Sequence, residues 1–217
     1  ELRIVNSENN PEEWNAADIS SVLSALKEFH YALENEHLPD VQEFDASISI
    51  PLYQKLLEIT IIEGKHINNR EMLRAIQMNL ENWSQIAKNI KLPKTIIHND
   101  FNSRNIAIRK NGTPVFYDWE LAVVDFPTRD IVEFLSFVLP LDFTKEDLVQ
   151  YLGFYDKKVA QLSKDNPWFQ ALCFSLENYI VTRLSFYEVA GVIMKYDFSN
   201  RVLNVALKML KMLRNEY

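Results

Sequence analysis

Most of the chain carries apolar residues at alternating three- and four-residue spacing, which is the pattern of helices with one buried face. The pattern is clear over residues 15–33, where Ile19, Val22, Leu26 and Phe29 fall on one side. The same spacing predicts further helices over residues 51–62, 70–90, 128–139, 145–162, 167–192 and 199–215. The fold is therefore predicted to be mainly α-helical.

The middle of the chain has a different pattern. Short runs rich in β-branched and aromatic residues predict three strands, over residues 95–97, 106–109 and 115–117. Between the last two runs lies Asn111-Gly112, a dipeptide that supplies the positive φ angles of a tight turn. We therefore expect a small β-hairpin over residues 106–117 within a helical fold.

Composition and charge narrow the class of protein. The chain has 217 residues, 47% hydrophobic and 24% charged, so it can bury one sizeable core and is predicted to be a single domain over residues 1–217. Its net charge of −7 argues against nucleic acid and membrane surfaces as partners, because both favour clustered Lys and Arg. The lone Cys173 cannot form an intramolecular disulfide, which favours a cytoplasmic location. Because the chain begins at Glu1 rather than Met, we expect it to be a fragment of a longer protein.

A loop after the first predicted strand has a composition suited to phosphoryl transfer. Residues 98–105 read HNDFNSRN, with the spacing H-x-D-x-x-x-x-N. Phosphoryl transfer requires a carboxylate that positions the attacking hydroxyl and accepts its proton, and oxygen ligands for the Mg²⁺ that bridges the phosphates. Asp100 suits the first task and Asn105 the second. Alone, Asp100 also fits an ordinary Asx turn or helix cap.

A second acidic pattern follows the predicted hairpin. Asp118 and Glu120 come directly after its last strand, in the sequence Asp-Trp-Glu. Because a hairpin turns the chain back on itself, we expect Asp118 to lie beside Asn105, so that one carboxylate and one amide face a common metal. Alone, Asp118 also fits a turn residue that closes a strand.

Four elements in order resemble the aminoglycoside phosphotransferase and choline kinase group. Two are the loop over residues 98–105 and the Asp-Trp-Glu sequence at 118–120. The others are residues 26–30, similar to the family's L-x-x-L-H signature, and residues 127–131, similar to its P-x-x-D-L. The resemblance implies a protein-kinase-like C-terminal lobe that uses ATP and Mg²⁺ and transfers a phosphoryl group to a hydroxyl of a small molecule.

The resemblance also implies roles for residues at the reaction centre. Asp100 is expected to be the catalytic base, and Asn105 and Asp118 are expected to bind Mg²⁺ and thereby the nucleotide. Arg104 is a candidate for stabilising the charge that develops during transfer. Glu120 is a further candidate for metal or substrate binding, because some relatives have a carboxylate at that spacing.

Two residues are expected to support the loops without contacting substrate. By the same resemblance, His98 is expected to brace the catalytic loop, and Asp130 to orient it from the following helix. An ordinary cap of that helix is the alternative role for Asp130. The family often has Gly-Asp where this chain has Asp125-Phe126, which leaves the backbone path of that loop open.

The resemblance covers the C-terminal lobe and omits the N-terminal β lobe. The chain has only four glycines, all far apart, so it has no glycine-rich loop to cradle phosphates. The Lys that grips the nucleotide phosphates belongs to the N-terminal lobe, and nothing before Leu26 resembles that lobe. We therefore expect the missing lobe to be this chain's partner within a parent protein, and the isolated chain to be inactive.

Two functions of different classes stay open. The first is a small-molecule kinase, and the net negative charge agrees with a cationic acceptor. The second is a non-catalytic kinase-like domain that binds or scaffolds within a larger protein. The retained Asp100, Asn105 and Asp118 argue against the second function, and the missing lobe argues for it. Glu177 and Glu188 suit a cationic substrate, but a solvated helix face is the favoured interpretation.

Overall fold

The structure is a computed structural model that describes residues 2–4, 11–34, 36 and 38–214. Its helices are α1 (Ala16–Ala32), α2 (Ile50–Ile62), α3 (Arg70–Asn79), α4 (Trp83–Asn89), α5 (Thr128–Val138), α6 (Lys145–Tyr155), α7 (Pro167–Tyr179), α8 (Ser185–Met194) and α9 (Ser199–Arg214). Its strands are β1 (Leu2–Ile4), β2 (Thr95–Ile97), β3 (Ile106–Arg109), β4 (Pro114–Phe116) and β5 (Val123–Asp125). The prediction of a mainly helical fold with a small β-hairpin is confirmed.

The chain divides into two compact units. The first comprises Glu1–Phe44 and Leu92–Leu172, and the second Asp45–Lys91 and Cys173–Tyr217. Every residue assigned to the candidate site belongs to the first unit. The organisation of residues 1–217 as a single domain stays a prediction. Within the part of the chain that the structure describes, no helix is both long enough and apolar enough to cross a membrane.

Two small antiparallel sheets form the β part of the first unit. The hairpin of β3 and β4 is joined by β1, which pairs with β3 in the order β1-β3-β4, with Leu2 opposite Arg109. The second sheet pairs β2 with β5, with Ile96 opposite Val124. The sequence analysis did not predict β1 or β5.

The hairpin turn differs from its predicted form. Gly112 has a φ of 84°, whereas Asn111 has a negative φ, so only one residue of the pair is left-handed. The amide of Gly112 donates to the carbonyl of Arg109 at 2.9 Å, and the amide of Arg109 donates to the carbonyl of Thr113 at 2.9 Å. This pattern is the longer hairpin connection in which a left-handed glycine follows an ordinary turn.

The helices of the first unit have clear starting signals. The side chain of Asn15 accepts the amide of Asp18 at 2.9 Å and caps α1, which packs against α6 and β2. Thr144 caps α6 through a reciprocal capping box with Asp147. The predicted helix over residues 145–162 ends early, at Tyr155, because the next residue is extended.

Two long predicted helices are interrupted, which the apolar pattern does not indicate. The predicted helix over residues 70–90 breaks at the 3-10 turn Leu80–Asn82. Asn79 and Asn82 lie at this break, and Asn has a lower helix propensity than Leu or Ala. The predicted helix over residues 167–192 contains the π-helical turn Ile180–Leu184 between α7 and α8. The last helix was predicted to reach Asn215, a residue outside the described part of the chain.

Candidate active site

The loop over residues 98–105 begins where a buried strand ends. All three residues of β2 are buried, and His98 follows them directly. The loop continues to the 3-10 turn Ser103–Asn105, which leads into β3. Within the loop the side chain of Asn102 accepts the amide of Arg104 at 3.0 Å. Both ends of the loop are therefore tied to strands of the first unit.

Asp130 on α5 anchors the start of this loop. Its two carboxylate oxygens accept the backbone amides of His98 at 2.7 Å and Asn99 at 2.9 Å. His30 on α1 lies against the same carboxylate, with Nε2 to Oδ2 at 3.2 Å. Although burial acts to raise the pKa of Asp130, the hydrogen bonds and charge interactions with His30 and His98 hold that pKa below its ordinary value. Asp130 is thus a buried carboxylate that stays ionised.

Asn99, next to the expected base, adopts a left-handed backbone conformation. Its φ is 60°, a region that residues other than glycine seldom occupy and that Asn tolerates better than most. The side chain holds the residue in place, because Oδ1 accepts Nε of Arg129 at 2.8 Å and Nδ2 donates to the carbonyl of Leu121 at 3.0 Å. Such backbone outliers concentrate at functional sites.

Asp100 and Asn105 are bound to each other. The side-chain nitrogen of Asn105 donates to the carbonyl of Asp100 at 2.9 Å and to its carboxylate Oδ2 at 2.9 Å. These two bonds use both hydrogens of the Asn105 side-chain amide, and its oxygen Oδ1 is the atom of that amide that can accept a hydrogen bond or bind a metal. Asn105 is buried and Asp100 half-buried. The expected base and one expected metal ligand are therefore close together.

Asp118 is connected to this pair through its neighbour Tyr117. The amide of Tyr117 donates to the carbonyl of Asn105 at 3.2 Å, and Nε2 of His98 donates to the carbonyl of Tyr117 at 2.8 Å. Asp118 itself is exposed, with a left-handed φ of 69°. The two loops are thus joined at the residue before Asp118, and His98 is one of the side chains that join them.

Two other candidates lie at the surface of these loops. Arg104 is exposed, and its carbonyl accepts the hydroxyl of Tyr117. Glu120 is exposed in the 3-10 turn Trp119–Leu121. The loop hydrogen bonds fix the backbone position of Arg104 next to Asn105.

The donor set fits Mg²⁺ by its chemistry. Mg²⁺ prefers hard oxygen ligands and keeps several waters, so few protein ligands are needed. The amide oxygen of Asn105 and the carboxylate of Asp118 are oxygen donors of this kind. These two residues would hold the ion.

Arg129 and Glu133 contact the loop over residues 98–105, and the sequence analysis did not predict either contact. Arg129 is buried, lies over the ring of Phe44 at 4.0 Å and donates to Asn99. Glu133 is fully buried and accepts the amide of Phe101 at 3.2 Å. Both residues lie on α5, a helix in which every residue is buried.

The second unit has a cavity of its own and two buried acids. The cavity has a volume of about 320 Å³ and is lined in part by His66, Glu188 and Tyr196. Glu177 is 6% exposed and pairs with Arg214, and Glu188 is 9% exposed and accepts Nε2 of His66 at 3.3 Å. The solvated helix face favoured for both acids is therefore wrong, since each one is buried against a basic partner.

The fold is that of the kinase-like phosphotransferases. Residues 11–164 match the model of the phosphotransferase enzyme family (APH), and the chain belongs to that family. This confirms the resemblance inferred from the sequence. A comparison with curated proteins finds no match.

Solved structures with a similar fold include three phosphotransferases. Choline kinase LicA from Streptococcus pneumoniae has a TM-score of 0.57 at 16% identity, over 91% of this chain and 63% of that chain. Spectinomycin phosphotransferase APH(9)-Ia, bound to ADP and spectinomycin, has a TM-score of 0.55 at 10% identity, over 90% and 66%. The GDP complex of aminoglycoside 2'-phosphotransferase-IIIa has a TM-score of 0.53 at 15% identity, over 98% and 68%. This chain therefore spans 63% of the length of the choline kinase.

Proposed function

We propose that this chain is the catalytic part of a Mg²⁺- and ATP-dependent phosphotransferase that acts on a hydroxyl of a small molecule. The observation that carries the proposal is the hydrogen-bonded pair of Asp100 and Asn105, at 2.9 Å from amide nitrogen to carboxylate oxygen. The pair combines a proton acceptor with a metal-ligating amide, which are the two groups that phosphoryl transfer requires of a catalytic loop. Membership of the phosphotransferase family supports the same reaction class.

In this proposal Asp100 orients the acceptor hydroxyl and takes its proton as the new bond forms. Its carboxylate keeps one orientation because Asn105 holds Oδ2 and the backbone carbonyl together. General-base catalysis requires such a fixed contact with the reacting hydroxyl. Arg104, exposed beside Asn105, stabilises negative charge on the transferred group.

Asn105 and Asp118, one from each of the two joined loops, would hold the metal. Bound there, Mg²⁺ supplies the positive charge that neutralises the nucleotide phosphates. Glu120 is a further oxygen donor in the turn after Asp118. A nucleotide donor is supported by the similar structures, which hold AMP, GDP or ADP. A small-molecule acceptor is supported by relatives named for choline, aminoglycosides and spectinomycin.

The test is acceptor-dependent ADP release by the full-length gene product that contains these residues. The protein is incubated with ATP, Mg²⁺ and a panel of choline, ethanolamine, aminoglycosides, spectinomycin and homoserine, and phosphorylated products are detected by ³¹P NMR. Asp100→Asn is expected to lower kcat roughly 10²–10⁴-fold, the usual contribution of a general base. Asp142→Asn, at an exposed acid elsewhere in the first unit, is the matched control and should keep the wild-type rate.

Two results would count against the proposal. Wild-type kcat in Asp100→Asn would show that Asp100 is not the base. Tight binding of Mg²⁺-ATP without turnover on any acceptor would favour the non-catalytic, kinase-like binding domain.

A further inference from the structure

Glu133 is a buried carboxylate in the core of the first unit. The residue is 0% exposed, on the helix α5 whose residues are all buried. A buried carboxylate is costly unless hydrogen bonds compensate for the lost water. Its Oε2 accepts the backbone amide of Phe101 at 3.2 Å. One oxygen of the Glu133 carboxylate is therefore hydrogen-bonded to the backbone of the loop over residues 98–105.

The position of Phe101 makes this contact important. Asp100 lies between Asn99 and Phe101 in the chain. The amide of Asn99 is held by Asp130 at 2.9 Å, and the amide of Phe101 by Glu133. The backbone on both sides of Asp100 is thus tied to acceptors on one helix.

The positions of Asp130 and Glu133 on α5 and the irregular backbone of the loop explain this attachment. Asp130 and Glu133 are three residues apart, so they lie on the same face of the helix, one turn apart. The loop between β2 and the turn Ser103–Asn105 has no regular ladder of its own. Buried amides in such a loop need acceptors from elsewhere, and α5 provides them.

We propose that Glu133 is a positioning residue for phosphoryl transfer, which fixes the backbone at Asp100 by accepting the amide of Phe101. The inference rests on the proposed function, in which Asp100 is the base. Glu133 does not contact the hydroxyl or the phosphates in this scheme. It acts by keeping the carboxylate of Asp100 in place, and a displacement of about 1 Å in a catalytic group can lower the rate about 10²-fold.

The test compares Glu133→Met with Glu133→Gln in the full-length gene product. Met has the length of Glu but cannot accept the amide, whereas Gln keeps an oxygen acceptor at the same distance. Glu133→Met is expected to lower kcat roughly 10–100-fold with the KM for ATP nearly unchanged, and Glu133→Gln to restore most of that loss. Unchanged kcat in Glu133→Met, or an equal loss in both variants, would overturn the inference.

Val132→Ala is the control for a general loss of packing. Val132 is the adjacent buried residue of α5, and its truncation leaves both carboxylates in place. Val132→Ala is expected to lower the unfolding temperature and leave kcat near that of the wild type. An equal loss of kcat in Val132→Ala would show that Glu133 acts only through core stability.

Amide exchange separates this inference from the proposed function, because it requires no activity. In the wild type the Phe101 amide should exchange slowly, and Glu133→Met should speed its exchange while the His98 amide, held by Asp130, stays protected. Rapid exchange of the Phe101 amide in the wild type would overturn the inference without any variant. If the wild type phosphorylates no acceptor, the proposed function fails while the exchange rates still decide whether Glu133 holds the loop.

Discussion

The side-chain amide of Asn105 donates to Asp100 twice, to its carbonyl and to its carboxylate, at 2.9 Å each. A single amide group therefore fixes the direction of the proposed base and of its own oxygen at the same time. Since Asn105 is buried and Asp100 half-buried, water competes weakly for these bonds. The two residues form one functional unit, and substitutions at both should not act independently.

The first prediction is a strong coupling between Asp100 and Asn105 in kcat. At saturating Mg²⁺, Asp100→Ala should lower kcat roughly 10²–10⁴-fold, and adding Asn105→Ala should lower it little further, because the carboxylate that Asn105 orients is already gone. The half-saturating Mg²⁺ concentration should rise in both variants that lack Asn105. Steady-state kinetics of the four proteins measure both effects. Additive losses in kcat would show that Asn105 acts separately from the base.

The second prediction concerns the pH dependence of stability at Asp130. Hydrogen bonds from His30 and His98 lower the pKa of Asp130 in the folded state despite its burial. A lowered pKa of Asp130 adds stability that is fully present above the pKa of Asp in the unfolded chain, about 3.9. This stability is lost as the pH falls through the pKa of Asp130 in the folded protein. Asp130→Asn should therefore cost roughly 1.5–3 kcal/mol at pH 7, the worth of hydrogen bonds to a charged group, and less below about pH 4.

Urea unfolding of the wild type and Asp130→Asn across this pH range measures the difference directly. The exposed substitution Asp142→Asn is the control and should change the free energy of unfolding little at any pH. A difference that grows as the pH falls would contradict an ionised Asp130.

The part of the site that the sequence could predict is the part that depends on local spacing. Asp100, Asn105 and Asp118 each lie within three residues of a short strand, and the hairpin of β3 and β4 fixes the path from Asn105 to Asp118. The spacing between these residues and the strands can be read directly from the sequence. The sequence predicts which residues come near each other, and their roles in the reaction stay predictions.

The acceptors on α5 show what the sequence could not predict. Arg129 and Glu133 are charged, so a helix pattern places them at the surface, yet both are buried. Their burial depends on partners some thirty residues away along the chain, Asn99 and Phe101. A tertiary contact of that range leaves no periodic signal. The same holds for Glu177, whose partner Arg214 lies on another helix.

The breaks in the long helices have a related cause. Residues 167–192 are apolar on nearly every side, so their pattern is the same with or without a π-helical turn. The turn Ile180–Leu184 coincides with hydroxyls that bond back to the helix, for example Thr182 to the carbonyl of Asn178 at 2.8 Å. Such local competition changes the helix without changing its hydrophobic pattern.

The third prediction is that alanine destabilises the protein at Gly112 and stabilises it at Gly153. Gly112 has a φ of 84°, and an added Cβ would meet nothing within 4 Å, so Gly112→Ala should destabilise by backbone strain alone, by about 1–2 kcal/mol. Gly153 lies inside α6, where a Cβ would make ordinary contact with Ala160 at 3.8 Å. Gly153→Ala should therefore stabilise by roughly 0.5–1 kcal/mol. Thermal unfolding of the two variants should show shifts of opposite sign, and shifts of the same sign would contradict the turn geometry.

The fourth prediction is that the 217 residues by themselves bind Mg²⁺-ATP only weakly. The chain has four widely spaced glycines and so no glycine-rich loop, and in bilobal kinases that loop and the phosphate-gripping Lys come from the other lobe. Titration calorimetry of the 217-residue chain and of the full-length gene product compares the two affinities. A micromolar dissociation constant for the 217 residues would show that they hold the nucleotide unaided.

The fifth prediction separates catalysis from stability at Asp118. This residue has a φ of 69° and a ψ of 57°, a left-handed conformation that costs an ordinary residue about 1–2 kcal/mol and glycine almost nothing. Within the described residues, its carboxylate makes no capping hydrogen bond to the turn Trp119–Leu121. Asp118→Gly should therefore keep or raise the unfolding temperature while it removes a metal ligand and with it the Mg²⁺-dependent activity. Asp118→Asn keeps an oxygen donor without the charge, so it should retain part of the activity at high Mg²⁺. Thermal unfolding and Mg²⁺ titrations of activity measure the two effects on the same samples. Wild-type Mg²⁺ dependence in Asp118→Gly would remove Asp118 from the metal site, and a large fall in its unfolding temperature would show that the carboxylate serves the fold instead.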